Sequence, residues 1–236
     1  MAVSHVDFGV SPRTIEALIG PNGAGKTTIF NMVTGLLTPT RGKIYFKGEE
    51  MNSYPPHIRA SKGLSRTFQI IRPFAEMSVL ENVMVGCHLR TQTGLIAAAL
   101  RLPRCRLDER RAREKAMHEL EFLGLGNKAY QLAGSLPMGE QRLMEIARAL
   151  ATDPLLVLFD EPAAGLNEKE TDQLAEDLLK IKERGLTILL VEHDMRIVMK
   201  VSDEIVVINY GTMIAQGVPS EIRSNPDVIT AYLGKS

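Results

Sequence analysis

Gly20-Pro21-Asn22-Gly23-Ala24-Gly25-Lys26-Thr27 fits the pattern G-x-x-x-x-G-K-[ST] without a mismatch. Glycines at these places let successive backbone N–H groups turn inward around an anionic phosphate. A helix opening behind Lys26 adds the positive end of its dipole. In such a loop Lys26 reaches the β- and γ-phosphates of ATP and the Thr27 hydroxyl is placed on Mg²⁺, with Thr28 counted among the nucleotide-binding residues. Context favours this over a chance glycine turn: Glu16-Ala17-Leu18-Ile19 reads as a buried strand ending at Gly20, and Thr27 to Gly35 as the helix behind it.

Outward from the loop, the chain alternates as an α/β domain does. Leu155 to Phe159 and Thr187 to Val191 are short apolar runs rich in branched residues, which suits parallel strands covered on both faces. Between them Asn167 stands three residues before Glu170, the capping-box spacing. Leu174, Leu178 and Ile181 then recur at helical intervals, and Gly185 stops the helix. From about Arg72 to Leu150 strand signals give way to helical ones: Leu107 to Gly124 carries many Arg, Glu and Leu residues, and Leu143, Ile146, Ala147 and Leu150 form a face. Ile205 to Ile208 and Met213 to Ala215 flank a turn at Gly211 and read as a closing antiparallel pair before a short terminal helix. The expected fold is a phosphate-loop NTPase core with a parallel sheet, an inserted helical subdomain and a small antiparallel β part.

Bulk composition narrows the class. With 28 basic and 28 acidic residues the formal net charge is zero, which argues against a dedicated nucleic-acid surface. The most apolar run, Gly94 to Leu100, is too short to cross a bilayer and is flanked by Arg90 and Arg101. The first five residues lack the layout of a secretory signal. Cys87 and Cys105 are the only cysteines and lack metal-ligand spacing, so a reducing compartment is expected.

A second cluster carries chemistry. The apolar run ending at Phe159 leads into Asp160-Glu161-Pro162. An acidic residue at a strand end beside a phosphate loop can hold Mg²⁺ through its water shell, and the next carboxylate can polarise the attacking water. Leu136-Pro137-Met138-Gly139-Glu140-Gln141-Arg142 resembles the signature segment of ABC ATPases. Gln69 resembles their Q-loop glutamine, Gly165-Leu166-Asn167 their D-loop and His193 their switch histidine. With Arg66-Thr67-Phe68-Gln69, Ala163 to Asn167, Glu192-His193-Asp194-Met195, the ending Val228 to Gly234 and the Arg-rich stretch Arg101 to Arg113, the chain is similar to the ATP-binding subunits of branched-chain amino-acid importers. Importers of urea or short amides share much of this.

The resemblance implies an ABC ATPase fold over residues 1–236 with its helical subdomain at about 72–150. It implies Glu161, His193 and Gln69 as catalytic residues. Thr27, Gln69 and Asp160 would be placed around Mg²⁺, and Met138, Gly139 and Glu140 would hold the ATP of a second such subunit in a head-to-tail dimer, identical or not. Membrane-spanning permease subunits and, indirectly, an external solute-binding protein follow as partners, with the chain on the cytoplasmic face. Pro137 replaces the serine of the signature. The resemblance also places a strand with an adenine-stacking aromatic ahead of Val3 to Phe8. Phe8 is the only aromatic before the loop and its pattern puts it in a strand facing the core, so the base is expected to add little affinity. A soluble ABC protein on DNA or ribosomes and a non-hydrolysing regulatory subunit are the competing classes.

Overall fold

A computed structural model describes residues 2–67, 72–88 and 103–233. Gln69, the run Gly94 to Leu100 and the start of the Arg-rich stretch lie outside the described residues. The chain divides into two units, Met1–Gln69 with Leu155–Ser236, and Ile70–Pro154.

The first unit contains β1 (Ile15–Ile19), α1 (Lys26–Thr34), the small hairpin β2 (Tyr45–Phe46) and β3 (Glu49–Glu50), α2 (Pro56–Ser61) and β4 (Leu64–Arg66). The helices α3 (Val79–Cys87), α4 (Pro103–Phe122) and α5 (Met138–Leu150) make up the second unit. The chain returns to the first through β5 (Leu156–Asp160), α6 (Glu168–Glu183), β6 (Thr187–Val191), α7 (Met195–Val201), β7 (Glu204–Asn209), β8 (Thr212–Gly217), α8 (Pro219–Ser224) and α9 (Pro226–Leu233). The main sheet has the order β4-β5-β6-β1-β7-β8. All its pairings are parallel except the last, β7 with β8.

This order matters for the site. Strands β1, β5 and β6 run the same way, so their carboxyl ends share one edge of the sheet, where open α/β sheets bind ligands. Every residue of β1 and of β5 is buried, the acids Glu16 and Asp160 included. Leu18, Leu158, Leu189, Val191 and Ile208, from four strands of this sheet, pack in one cluster with Phe30 of α1, so the helix behind the phosphate loop is anchored in the core. Helix α1 starts at Lys26, one residue earlier than the sequence suggests, and Gly35 ends it in the left-handed region at φ 82°. Helix α6 carries the expected box: the Asn167 side chain accepts from Glu170 N–H while Glu170 accepts from Asn167 N–H. Leu174, Leu178 and Ile181 are its buried face.

Other expectations are adjusted. Strand β4 and the hairpin β2–β3 are too short to leave a periodic signal. Helix α4 begins at Pro103, where proline suits a first turn. The terminal helix is two, because Pro226 cannot continue α8. On α5 Ile146, Ala147 and Leu150 are buried as predicted; Leu143 is half-buried, and Met144 and Ala149 join the buried face. Phe8 packs against the core as predicted, but residues 3–10 join neither sheet. In the second unit α3, α4 and α5 pack on one another. Gly86 lies so close to α5 that a Cβ there would meet the Arg148 carbonyl oxygen at 2.2 Å.

One buried carboxylate stands away from the nucleotide edge. Glu16 is 1% exposed and faces Glu204 in the register of β1 with β7. Burial first, then Glu204 and Asp203, raise its pKa from 4.5 to about 7. Folding therefore favours the protonated acid. Below pH ~4.5 both states hold the proton, and stability falls as pH rises toward ~7, where the folded form must also ionise. Glu16→Gln removes this slope and is expected to be the more stable protein at pH 8 by ~3 kcal/mol, at about 1.4 kcal/mol per pKa unit. Urea unfolding of both proteins from pH 4 to pH 8 checks it, and parallel curves would contradict it.

Candidate active site

Two glycines of the phosphate loop are dictated by space and by backbone angle. A Cβ on Gly20 would lie 2.1 Å from the Ile208 carbonyl oxygen. Gly25 caps α1 at φ 108°, in the left-handed region. No side chain caps this helix, whose first hydrogen bond runs from Ile29 N–H to the Gly25 oxygen. The N–H groups of its first turn therefore remain for an anion. Asn22, Gly23 and Thr27 are exposed, Pro21, Gly25 and Thr28 half-buried and Ala24 buried. The loop is steadied from behind: Gly211 N–H donates to the Ala24 oxygen at 2.9 Å.

Lys26 is 6% exposed. Its Nζ donates to the carbonyl oxygens of Gly20 at 2.6 Å and Pro21 at 3.0 Å. Desolvation lowers its pKa, opposed by Glu161 and Asp160. The structure thus brings the lysine of one motif into the field of the two carboxylates of the other.

Asp160 ends β5 and is 5% exposed. Its Oδ2 accepts from Arg66 at 2.7 Å. Glu161 follows with φ at 49°, a left-handed conformation that costs a non-glycine residue of order 1–3 kcal/mol. Its N–H donates to the Val191 oxygen at 2.8 Å, which ties it to the end of β6. Its Oε1 lies 2.5 Å from His193 Nε2. A carboxylate against an imidazole, on a strand end beside a phosphate loop, can hold and orient a water and take its proton.

Glu192 is a residue that sequence reasoning missed as part of the site. It is 3% exposed, and its oxygens accept from Ala163 N–H at 2.6 Å and His193 N–H at 3.0 Å. It joins the loop Ala163–Asn167 to the loop bearing His193. Desolvation raises its pKa, and these backbone donors oppose the rise. Its signal was an acid ending an apolar strand. Arg66 was read only as a mark of resemblance, although a lone cation beside a core strand needs a buried acid.

In the second unit, helix α5 begins at Met138, inside the signature-like segment. Pro137 is its cap, with no side-chain hydrogen bond, and Gln141 N–H makes the first helical bond, to the Pro137 oxygen at 3.0 Å. Met138 is 58% exposed and Gly139 half-buried. The Glu140 carboxylate is held by Lys128 Nζ, 2.6 Å from each oxygen, so Glu140 offers an anion its backbone and not a bare negative charge.

For Mg²⁺ the fit can be judged from the donors. A hydroxyl in an uncapped first turn and a buried carboxylate at a strand end are hard oxygen ligands, as this ion prefers. Among the described residues no cluster of three or more His, Cys, Asp or Glu side chains forms a separate metal centre.

Residues 3–164 match the family model described as ABC transporter. The chain belongs to the ABC transporter family. Residues 212–236 also match the model of the branched-chain amino acid ATP-binding cassette transporter. The high-affinity branched-chain amino acid transport ATP-binding protein BraF of Pseudomonas aeruginosa is 48% identical over 100% of this chain and 93% of its own. LivG of Escherichia coli K12, which carries the same description, is 46% identical over the same shares. A nucleotide-free ATP-binding cassette from an ABC transporter superposes with a TM-score of 0.85 at 33% identity, covering 99% of this chain and 93% of that one. A structure of the ADP conformation of MJ1267, an ATP-binding cassette of an ABC transporter, gives 0.85 at 32% identity, with the same coverage. Among the described residues of this cassette no helix is long and apolar enough to cross a membrane.

Proposed function

We propose that this chain is the ATP-hydrolysing subunit of an importer that moves branched-chain amino acids through membrane-spanning partners. The observation that carries the hydrolytic part is the Glu161–His193 contact of 2.5 Å, set on strand ends that share an edge with the phosphate loop. The loop's N–H groups and Lys26 hold the β- and γ-phosphates of ATP. Glu161 takes the proton of the attacking water, His193 keeps the carboxylate oriented, and Glu192 fixes the loop on which His193 stands. Thr27 and Asp160, with Gln69, are the residues that would hold Mg²⁺, which when bound neutralises charge on the phosphates.

The uncapped start of α5 is a second anion-binding helix end, and in the family reading it meets the ATP of a second, head-to-tail subunit. Branched-chain amino acids are supported as solutes by the match of residues 212–236 and by the descriptions of BraF and LivG. The chain then works at the cytoplasmic face of the membrane, attached through permease subunits that receive solute from an external binding protein.

Reconstitution of this chain with its co-purified membrane subunits and solute-binding protein in ATP-loaded liposomes tests the reading. Labelled leucine should accumulate only with ATP, and a hundredfold excess of urea should leave uptake unchanged. Uptake that follows urea and ignores leucine would contradict the solute assignment.

A further inference from the structure

Arg66 lies at the meeting point of three elements of the first unit. Its guanidinium donates to Asp160 Oδ2 at 2.7 Å and to Asn31 Oδ1 at 2.7 Å, approaches Thr34 Oγ1 at 3.4 Å, and stands 5.6 Å over the Phe30 ring. Its side chain is 9% exposed and that of Asp160 is 7% exposed. Phe30, Asn31 and Thr34 lie on one side of α1, the helix whose first turn carries Thr27. Asp160 ends β5. One planar cation therefore braces the phosphate-loop helix against the acidic strand, and the residue that does so ends β4, three positions before Gln69.

We infer that Arg66 is a positioning residue for the Mg²⁺ site: it sets the Asp160 carboxylate relative to Thr27. The inference rests on the Mg²⁺–ATP reading above. Mg²⁺ tolerates little departure from octahedral geometry and is commonly held by one or two protein groups plus phosphate oxygens. Here the two described groups come from different elements, and hydrogen bonds within either element do not fix the distance between them. The Arg66 fork does, since its donors point in fixed directions toward both. It occupies Oδ2 of Asp160 and leaves Oδ1 to the ion. Its charge also offsets one carboxylate in a site where Asp160 and Glu161 adjoin, so the site is not over-anionic before the phosphates arrive. A lysine would restore the charge but not the two-sided fork.

The test separates metal from nucleotide. A fluorescent ATP analogue is titrated in EDTA, and Mn²⁺ is then titrated by electron paramagnetic resonance at saturating nucleotide. For Arg66→Gln, half-saturating Mn²⁺ should rise about tenfold while metal-free nucleotide affinity stays within twofold. Arg66→Lys should fall between. Asn31→Leu, which cuts the helix side of the brace and leaves the ion pair, should raise half-saturating Mn²⁺ at least threefold. It also keeps the question open to test should Arg66→Gln fail to fold. Unchanged Mn²⁺ affinity in Asn31→Leu and Arg66→Lys would overturn the inference, and so would equal losses in EDTA and in Mn²⁺, which mark general support of the fold. A wild-type protein whose nucleotide binding ignores Mn²⁺ would instead overturn the Mg²⁺–ATP reading.

Discussion

Lys26→Ala is expected to lose ATP affinity by at least about 100-fold, equivalent to ~2.7 kcal/mol, while remaining folded. The side chain is buried and its Nζ rests on the Gly20 and Pro21 carbonyl oxygens. Removing it deletes two hydrogen bonds within the loop and the one cation that the motif aims at the β- and γ-phosphates. The burial that lowers its pKa is opposed by Asp160 and Glu161, and triphosphate oxygens would add to that opposition. Loss of the charge therefore removes the one side-chain cation of the loop that offsets those carboxylates and the phosphates. Isothermal titration with Mg²⁺–ATP measures the effect. Binding within threefold of wild type in a protein with an unchanged melting temperature would show that phosphate is held elsewhere.

Glu161→Gln is expected to give the second large effect, with opposite character. The amide keeps the shape and still accepts a hydrogen bond from His193, yet cannot take a proton from water. Positioned general bases contribute typically 10²–10⁴-fold, so steady-state turnover should fall by at least about 100-fold. ATP affinity should hold or improve, because one negative charge near Lys26 and the phosphates is gone. With hydrolysis blocked, ATP should accumulate between two subunits. Light scattering should then record a doubled mass for Glu161→Gln in Mg²⁺–ATP and a single mass in ADP. A variant that stays single in both would remove the head-to-tail dimer from this account.

Much of this was legible because local chemistry and tertiary position coincide. The phosphate loop is a backbone device, so its glycines and the helix behind it are written consecutively, and the strand before it is apolar apart from Glu16. The capping box at Asn167 and Glu170 is likewise a contact between residues three apart. Pairings between distant segments were less accessible. Arg66 reaches Asp160 across 94 positions, and Glu192 reaches Ala163 across 29. Each is a buried charge that resolves only once β4, β5 and β6 are laid side by side. Glu140 was placed with nucleotide-binding residues on its position in a motif, and Lys128 takes its carboxylate by a contact twelve residues away. On α5 the predicted positions Ile146, Ala147 and Leu150 are buried, and Met144 and Ala149 are buried beside them because the helix packs on both α3 and α4, which a single periodic stripe does not register.

The most direct measurement is single-turnover phosphate release. Protein in excess over γ-³²P-labelled ATP is mixed with Mg²⁺, quenched over time and separated into ATP and free phosphate. Wild type should convert all the bound label to phosphate, and Glu161→Gln, equally loaded, should retain ATP uncut over the same interval. Equal release by both proteins would contradict the assignment of the chemistry to the Glu161–His193 pair.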